Sequence, residues 1–116
     1  MNKLSSDSLN QCGLSKKTVA SICQVFNNHP NIEQVILYGS RAKGTYKRAS
    51  DIDLTLQAKT AAYTELMQIE SELDDLLLPY QIDLSWYQQI DNPELIEHIK
   101  RCGLIFYCVK TNSSLF

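Results

Sequence analysis

The sequence predicts an α/β (α+β) fold: a two-layer mixed β-sheet of about four strands with helices on one face. Three observations predict it. Helical and strand-like periodicities follow one another in the order α, β, loop, β, α, β, α, β. Two of the strand-like runs carry apolar residues on one face and acids on the other, which asks for a sheet covered on one side and open on the side of the acids. The chain has 116 residues, the size of one domain, so residues 1–116 are read as a single unit with a polar leader over 1–13 and a polar tail over 110–116.

Each element follows from local chemistry. Ser15 is a plausible N-cap, and Leu14 before it and Val19 after it can close as a hydrophobic staple. Val19, Ile22, Cys23 and Phe26 then recur at helical spacing until His29-Pro30 stops the helix. A β-rich run over 34–38 is bounded by Gly39. Residues 51–57 alternate, with Ile52, Leu54 and Leu56 on one face and Asp51, Asp53 and Thr55 on the other. A long amphipathic segment begins at Thr60, carries Tyr63, Leu66, Ile69, Leu73, Leu76 and Leu77 on one side, and is closed by Pro79. Residues 81–86 alternate again, Ile82, Leu84 and Trp86 against Asp83 and Ser85, with Trp86 expected in the core. Asn92-Pro93-Glu94 starts a last helix, Leu95, Ile96 and Ile99 form its stripe, Gly103 caps it, and 104–109 is a final apolar strand.

The formal net charge is −2, so the surface as a whole does not attract nucleic acid or an anionic membrane, and anion binding has to come from a local cluster. No hydrophobic leader or membrane-length apolar run is seen, which makes a cytoplasmic setting the default. Cys12, Cys23, Cys102 and Cys108 form no C-x-x-C pair, and His29 and His98 lie far from each other in sequence, so no zinc site is expected. Cys23 and Cys108 read as small core residues, and His98 as a residue on the surface of the last helix.

The chemistry concentrates in LYGSRAKGTYKRASDIDLTL, residues 37–56. Asp51 and Asp53 emerge on one face of a strand, and Asp83 occupies the matching place in the next acidic strand. Were these strands neighbours, the carboxylates would repel one another, and a divalent metal would relieve that repulsion. Gly39 lets the backbone approach a ligand closely, and Ser40 offers a hydroxyl at the start of a short helix that Gly44 stops. Arg41, Lys43, Lys47 and Arg48 add positive charge to this loop; Arg41, beside the serine, is the expected phosphate ligand and the others are expected to be surface charges. Acids for a metal beside a basic Gly-Ser loop are what a magnesium–nucleoside triphosphate needs.

Gly39-Ser40, ten residues and then Asp51-x-Asp53 resemble the signature of the DNA polymerase β-like nucleotidyltransferase superfamily, and GSRAKG with SDIDL is similar to its minimal nucleotidyltransferase (MNT) branch. Asp83, within QIDLSW, resembles the third metal-binding acid, and the likeness spans roughly residues 33–107, with Arg101-Cys102-Gly103 in place of a glutamate-glycine pair. The resemblance implies the nucleotidyltransferase fold and transfer of a nucleoside monophosphate, AMP from ATP, with release of pyrophosphate. It implies that Asp51 and Asp53 ligate two Mg2+ ions, that Asp83 binds the catalytic one and helps activate the acceptor hydroxyl, and that Gly39 and Ser40 hold the triphosphate. It also implies a HEPN-type helical partner protein encoded alongside, as in toxin–antitoxin systems where the transferase modifies a tyrosine of the toxin. Two other readings stay open: a nucleotide-binding subunit of a two-protein complex without chemistry of its own, and a transferase for a small antibiotic-like molecule. The acceptor, the preferred base and assembly into a homo-oligomer are left undecided by the residues.

Overall fold

The computed structural model describes residues 2–3, as backbone, and residues 11–108. In chain order the elements are β1 (Asn2–Lys3), α1 (Lys16–Asn27), β2 (Ile32–Tyr38), α2 (Gly39–Lys43), β3 (Ile52–Ala58), α3 (Tyr63–Asp74), β4 (Ile82–Trp86), a 3-10 turn (Tyr87–Gln89), α4 (Pro93–Cys102) and β5 (Leu104–Cys108). The sheet is mixed and five-stranded, in the order β1-β5-β2-β3-β4. β2 runs antiparallel to both β3 and β5, and β3 and β4 run parallel. The extra strand is the two-residue β1, which pairs with β5 from within the segment read as a leader. The rest of that segment over 4–10, Val109 and the expected tail over 110–116 lie outside the described residues.

The elements form for the expected local reasons. Ser15 caps α1, its hydroxyl accepting from the Thr18 N–H at 3.1 Å. Asn92 caps α4 in the same way, accepting from the N–H groups of Glu94 and Leu95 with proline at the first helical position. Ile22, Val25 and Phe26 of α1 and Ile69 and Leu73 of α3 pack on Val35, Leu37, Ile52, Leu54, Leu56, Leu84 and Trp86, and this is the core. Trp86 is buried, as expected, and its indole N–H donates to the Ala62 carbonyl. Cys12 and Leu14 belong to the same core, so the chain is already packed at the end of its supposed leader.

Three expectations are corrected. α3 ends at Asp74, not near Leu77; the chain turns there, Leu77 takes a positive φ of 55°, and its side chain is exposed. Acids at the C-terminus of a helix oppose its dipole, and Asp74 and Asp75 stand there with no basic residue in the last turn. Tyr63 is likewise exposed on the outer side of α3. Cys108, at the last position of β5, is exposed rather than core. Cys23 does pack on the core, and burial pushes its thiol up to about 11, which leaves it protonated and inert.

The face opposite α1 and α3 carries the acids, and it is not wholly bare. α4 packs against β2 there, where Ile36 and Ile99 are both fully buried outside the main core. No helix among the described residues is long and apolar enough to cross a membrane.

Candidate active site

Strand register brings the acids together. β3 and β4 pair in parallel with Asp53 opposite Asp83, and β2 pairs with β3 so that Tyr38 lies opposite Asp53 on its other side. Neighbouring strands stand about 4.8 Å apart, so the two carboxylates rise side by side. Asp51 is exposed immediately before β3, two residues from Asp53 and so on the same side. Asp53 is half-buried, and its carboxyl is held above the usual range, first by burial and then by the negative charges of Asp83 and Asp51. Asp53 therefore feels the charge of both neighbouring acids.

A hydroxyl seam lies beside them. Ser85, two residues beyond Asp83, donates to the Thr55 hydroxyl at 2.9 Å, and the Tyr38 phenol lies near Ser85. Burial raises the Tyr38 phenol, the polar Ser85 nearby works against it, and the fields of Asp53 and Asp83 raise it further, so the phenol stays neutral.

The glycine-serine turn follows β2 directly. Gly39 has φ 78°, a left-handed conformation that glycine adopts freely, and Gly44 repeats that value where it ends α2. A Cβ at position 39 would collide with Oδ2 of Asp53. The turn and the acids are thus in direct contact, and Ser40 is the next residue, half-exposed at the start of α2. The Gly39 N–H donates to Nε2 of His98 at 3.0 Å.

His98 is accordingly not a free surface residue. It is half-buried on α4, edge-on to Tyr38, and burial together with the nearby Lys43 and Arg101 charges holds its pKa below the ordinary value. The contact spans 59 residues of chain, and nothing local to His98 announces it.

Arg41 is the second correction at the site. It was expected on the phosphates, but it is 1 % exposed and turned into the protein. Its Nε and Nη2 donate to the Ser50 carbonyl, Nη2 also to that of Arg48, and Nη1 to that of Cys12. The guanidinium lies 4.9 Å from the Tyr46 ring centre and 4.8 Å from that of Tyr80. A planar cation with several donors suits such a nest of carbonyls and rings. Arg41 therefore ties α2 to the segment that delivers Asp51, while Lys43, Lys47 and Arg48 are exposed.

The donor set suits a hard divalent cation: carboxylate oxygens on adjacent strands whose mutual repulsion a positive charge would relieve. Among the described residues, no group of three His, Cys, Asp or Glu side chains is placed to hold a metal ion as it stands. Side-chain rotation suffices to draw Asp53 and Asp83 together, because their backbones are already in register. A hollow of about 590 Å³ beside α3 and β4 is lined by residues including Leu73, Asp74, Tyr80 and Ile82, and none of the expected site residues lines it. The acids stand on the open sheet face instead.

The described fold occurs in solved proteins. A toxin–antitoxin structure with AMP-PNP is 20% identical with a TM-score of 0.64, over 84% of this chain and 76% of that one. The complex of a tri-AMPylated HEPN toxin with an MNT antitoxin from Shewanella oneidensis has a chain 17% identical with a TM-score of 0.61, over 81% of this chain and 72% of that one. A candidate nucleotidyltransferase from Sulfolobus solfataricus is 18% identical with a TM-score of 0.57, over 97% and 96% of the two chains. At these identities the likeness establishes the fold. No curated protein matches the chain in sequence. Residues 20–112 match the family Polymerase beta, Nucleotidyltransferase, and since that match takes in the turn, all three acids and every strand from β2 to β5, the chain belongs to this nucleotidyltransferase family.

Proposed function

We propose that the protein transfers AMP from ATP to a hydroxyl on a HEPN-type helical partner, in the manner of an antitoxin. The observation that carries the reading is the register that sets Asp53 beside Asp83, with Asp51 acting on the same carboxylate and Gly39 against it. Asp51, Asp53 and Asp83 would hold magnesium, two ions in this reading, and the bound metal supplies neutralisation of the triphosphate charge. Gly39 and Ser40 hold the triphosphate tail against the acids. The acceptor oxygen attacks the α-phosphorus in line; the new O–P bond forms as the bond to the bridging oxygen breaks, and pyrophosphate leaves. Asp83 takes the hydroxyl proton and passes it to solvent. Most of the acceleration comes from positioning and charge placement.

The partner rests on the MNT-like motif and on structural neighbours that include an MNT antitoxin complexed with an AMPylated HEPN toxin. The open sheet face offers the acids to a macromolecular acceptor. The reading is tested by incubating the protein with magnesium, α-labelled ATP and the helical protein encoded beside it. Label should appear on a hydroxyl of that partner with matching pyrophosphate release. ATP binding without pyrophosphate release, with every acceptor supplied, would return the protein to a binding-only subunit.

A further inference from the structure

Gly39 is the joint between β2 and the turn, and glycine left to itself moves readily between φ basins. One neighbour restrains that freedom directly: His98 Nε2 accepts its N–H at 3.0 Å, while the Asp53 carboxylate lies close to its Cα. α4, which carries His98, packs on both β2 and α2 and is anchored through the buried Ile99. The imidazole is thus carried by a helix that is anchored on β2 as well as on the turn that it touches. We propose that His98 is a positioning residue of the triphosphate turn, fixing the Gly39 peptide so that Ser40 is presented beside Asp53. The inference rests on the triphosphate reading of this turn.

The hydrogen bond requires Nε2 to be an acceptor, so His98 acts in its neutral form with the proton on Nδ1. A second proton converts Nε2 into a donor facing the Gly39 N–H, and the turn is released. The charged and titratable groups around the ring are Lys43 on α2, Tyr38 on β2 and Arg101 on its own helix. The two cations stay charged and the phenol stays neutral between about pH 5 and 8, so none of them titrates in that window. Asp53, whose carboxyl is raised, and the triphosphate itself can add to any loss of affinity in acid. The diagnostic quantity is therefore the difference between wild type and His98→Gln, whose amide oxygen has about the reach of Nε2, accepts the same hydrogen bond and does not titrate.

Two measurements on the full chain test the proposal. In ion-free protein, the Gly39 amide resonance is followed by NMR against pH beside the His98 ring protons. In wild type it should move with the midpoint of the ring, and in His98→Gln that component should vanish. Mg·ATP affinity is then measured by calorimetry at pH 7.5 and pH 5.5. His98→Ala should weaken binding about tenfold at pH 7.5, the worth of one well-placed hydrogen bond, and His98→Gln should restore it to within about twofold. Wild type should lose more affinity on acidification than His98→Gln. If wild type binds Mg·ATP and His98→Ala binds it equally well, the inference fails and the reading of the site stands. If wild type binds no Mg·ATP while the Gly39 amide still follows His98, the reading of the site fails and takes the inference with it.

Discussion

Asp53 Oδ2 lies where a Cβ at position 39 would have to go, so the glycine of the turn and the central acid of β3 are fitted to each other. Gly39→Ala meets this contact and also a φ of 78° that an alanine adopts only under strain. The variant should lose about 1–3 kcal/mol of stability in urea denaturation. It should also bind Mg·ATP weakly, because relief of the clash moves either the turn or Asp53. Wild-type affinity in a folded Gly39→Ala protein would separate the turn from the acids.

Asp53→Asn should reduce adenylyl transfer at least about a hundredfold, as expected when charge stabilisation in the transition state is removed. Its stability should move the other way. An acid whose folded pKa is raised opposes folding as pH climbs through that range, and here the causes are burial and the neighbouring Asp83 and Asp51. The amide removes that opposition, so thermal unfolding in metal-free buffer should occur at the wild-type temperature or above it. A marked fall would mean that the charge of Asp53 stabilises the fold.

Arg41→Lys tests whether the buried guanidinium is structural. Lysine keeps the charge but cannot reach the carbonyls of Cys12, Arg48 and Ser50 together or cover Tyr46 and Tyr80 as a plane. A loss of about 1–3 kcal/mol is expected, from buried carbonyls left without donors. Wild-type stability combined with a large loss of Mg·ATP affinity would return Arg41 to the phosphates.

His29 makes stability depend on pH away from the site. Its Nδ1 is 3.0 Å from Glu65 and its Nε2 is 2.9 Å from Glu72, a bridge from the end of α1 to α3. Burial alone would lower its pKa, but the hydrogen bonds to Glu72 and Glu65 outweigh this and leave it raised. A raised histidine contributes stability that is complete below its unfolded value, about 6.5, and is lost as pH rises through the folded value. Glu72 is lowered, chiefly by the His29 hydrogen bond, so its share is present above the ordinary glutamate range and fades as pH falls through its own value. Thermal stability should therefore decline from about pH 6.5 upward in wild type, and His29→Gln should flatten that limb. An unchanged slope in His29→Gln would show that the bridge does not stabilise the fold.

The acid pair was legible because strand periodicity is two: once Ile52, Leu54, Ile82 and Leu84 are assigned to the core, Asp53 and Asp83 have one face left. The caps at Ser15 and Asn92 were equally legible, since a cap is decided within three residues. The end of α3 was not, because the apolar spacing runs on through Leu76 and Leu77 while the chain turns after Asp74.

Local order thus determined by itself the order of elements, the facing of the acids and the glycine-serine turn, for these depend on contacts a few residues apart. Only the tertiary structure decided that β3 and β4 are neighbours in register, that Arg41 turns inward and that His98 holds Gly39. Each of those is a contact between distant segments, chosen by what the rest of the fold leaves buried and unpaired, and no periodicity along the chain encodes it.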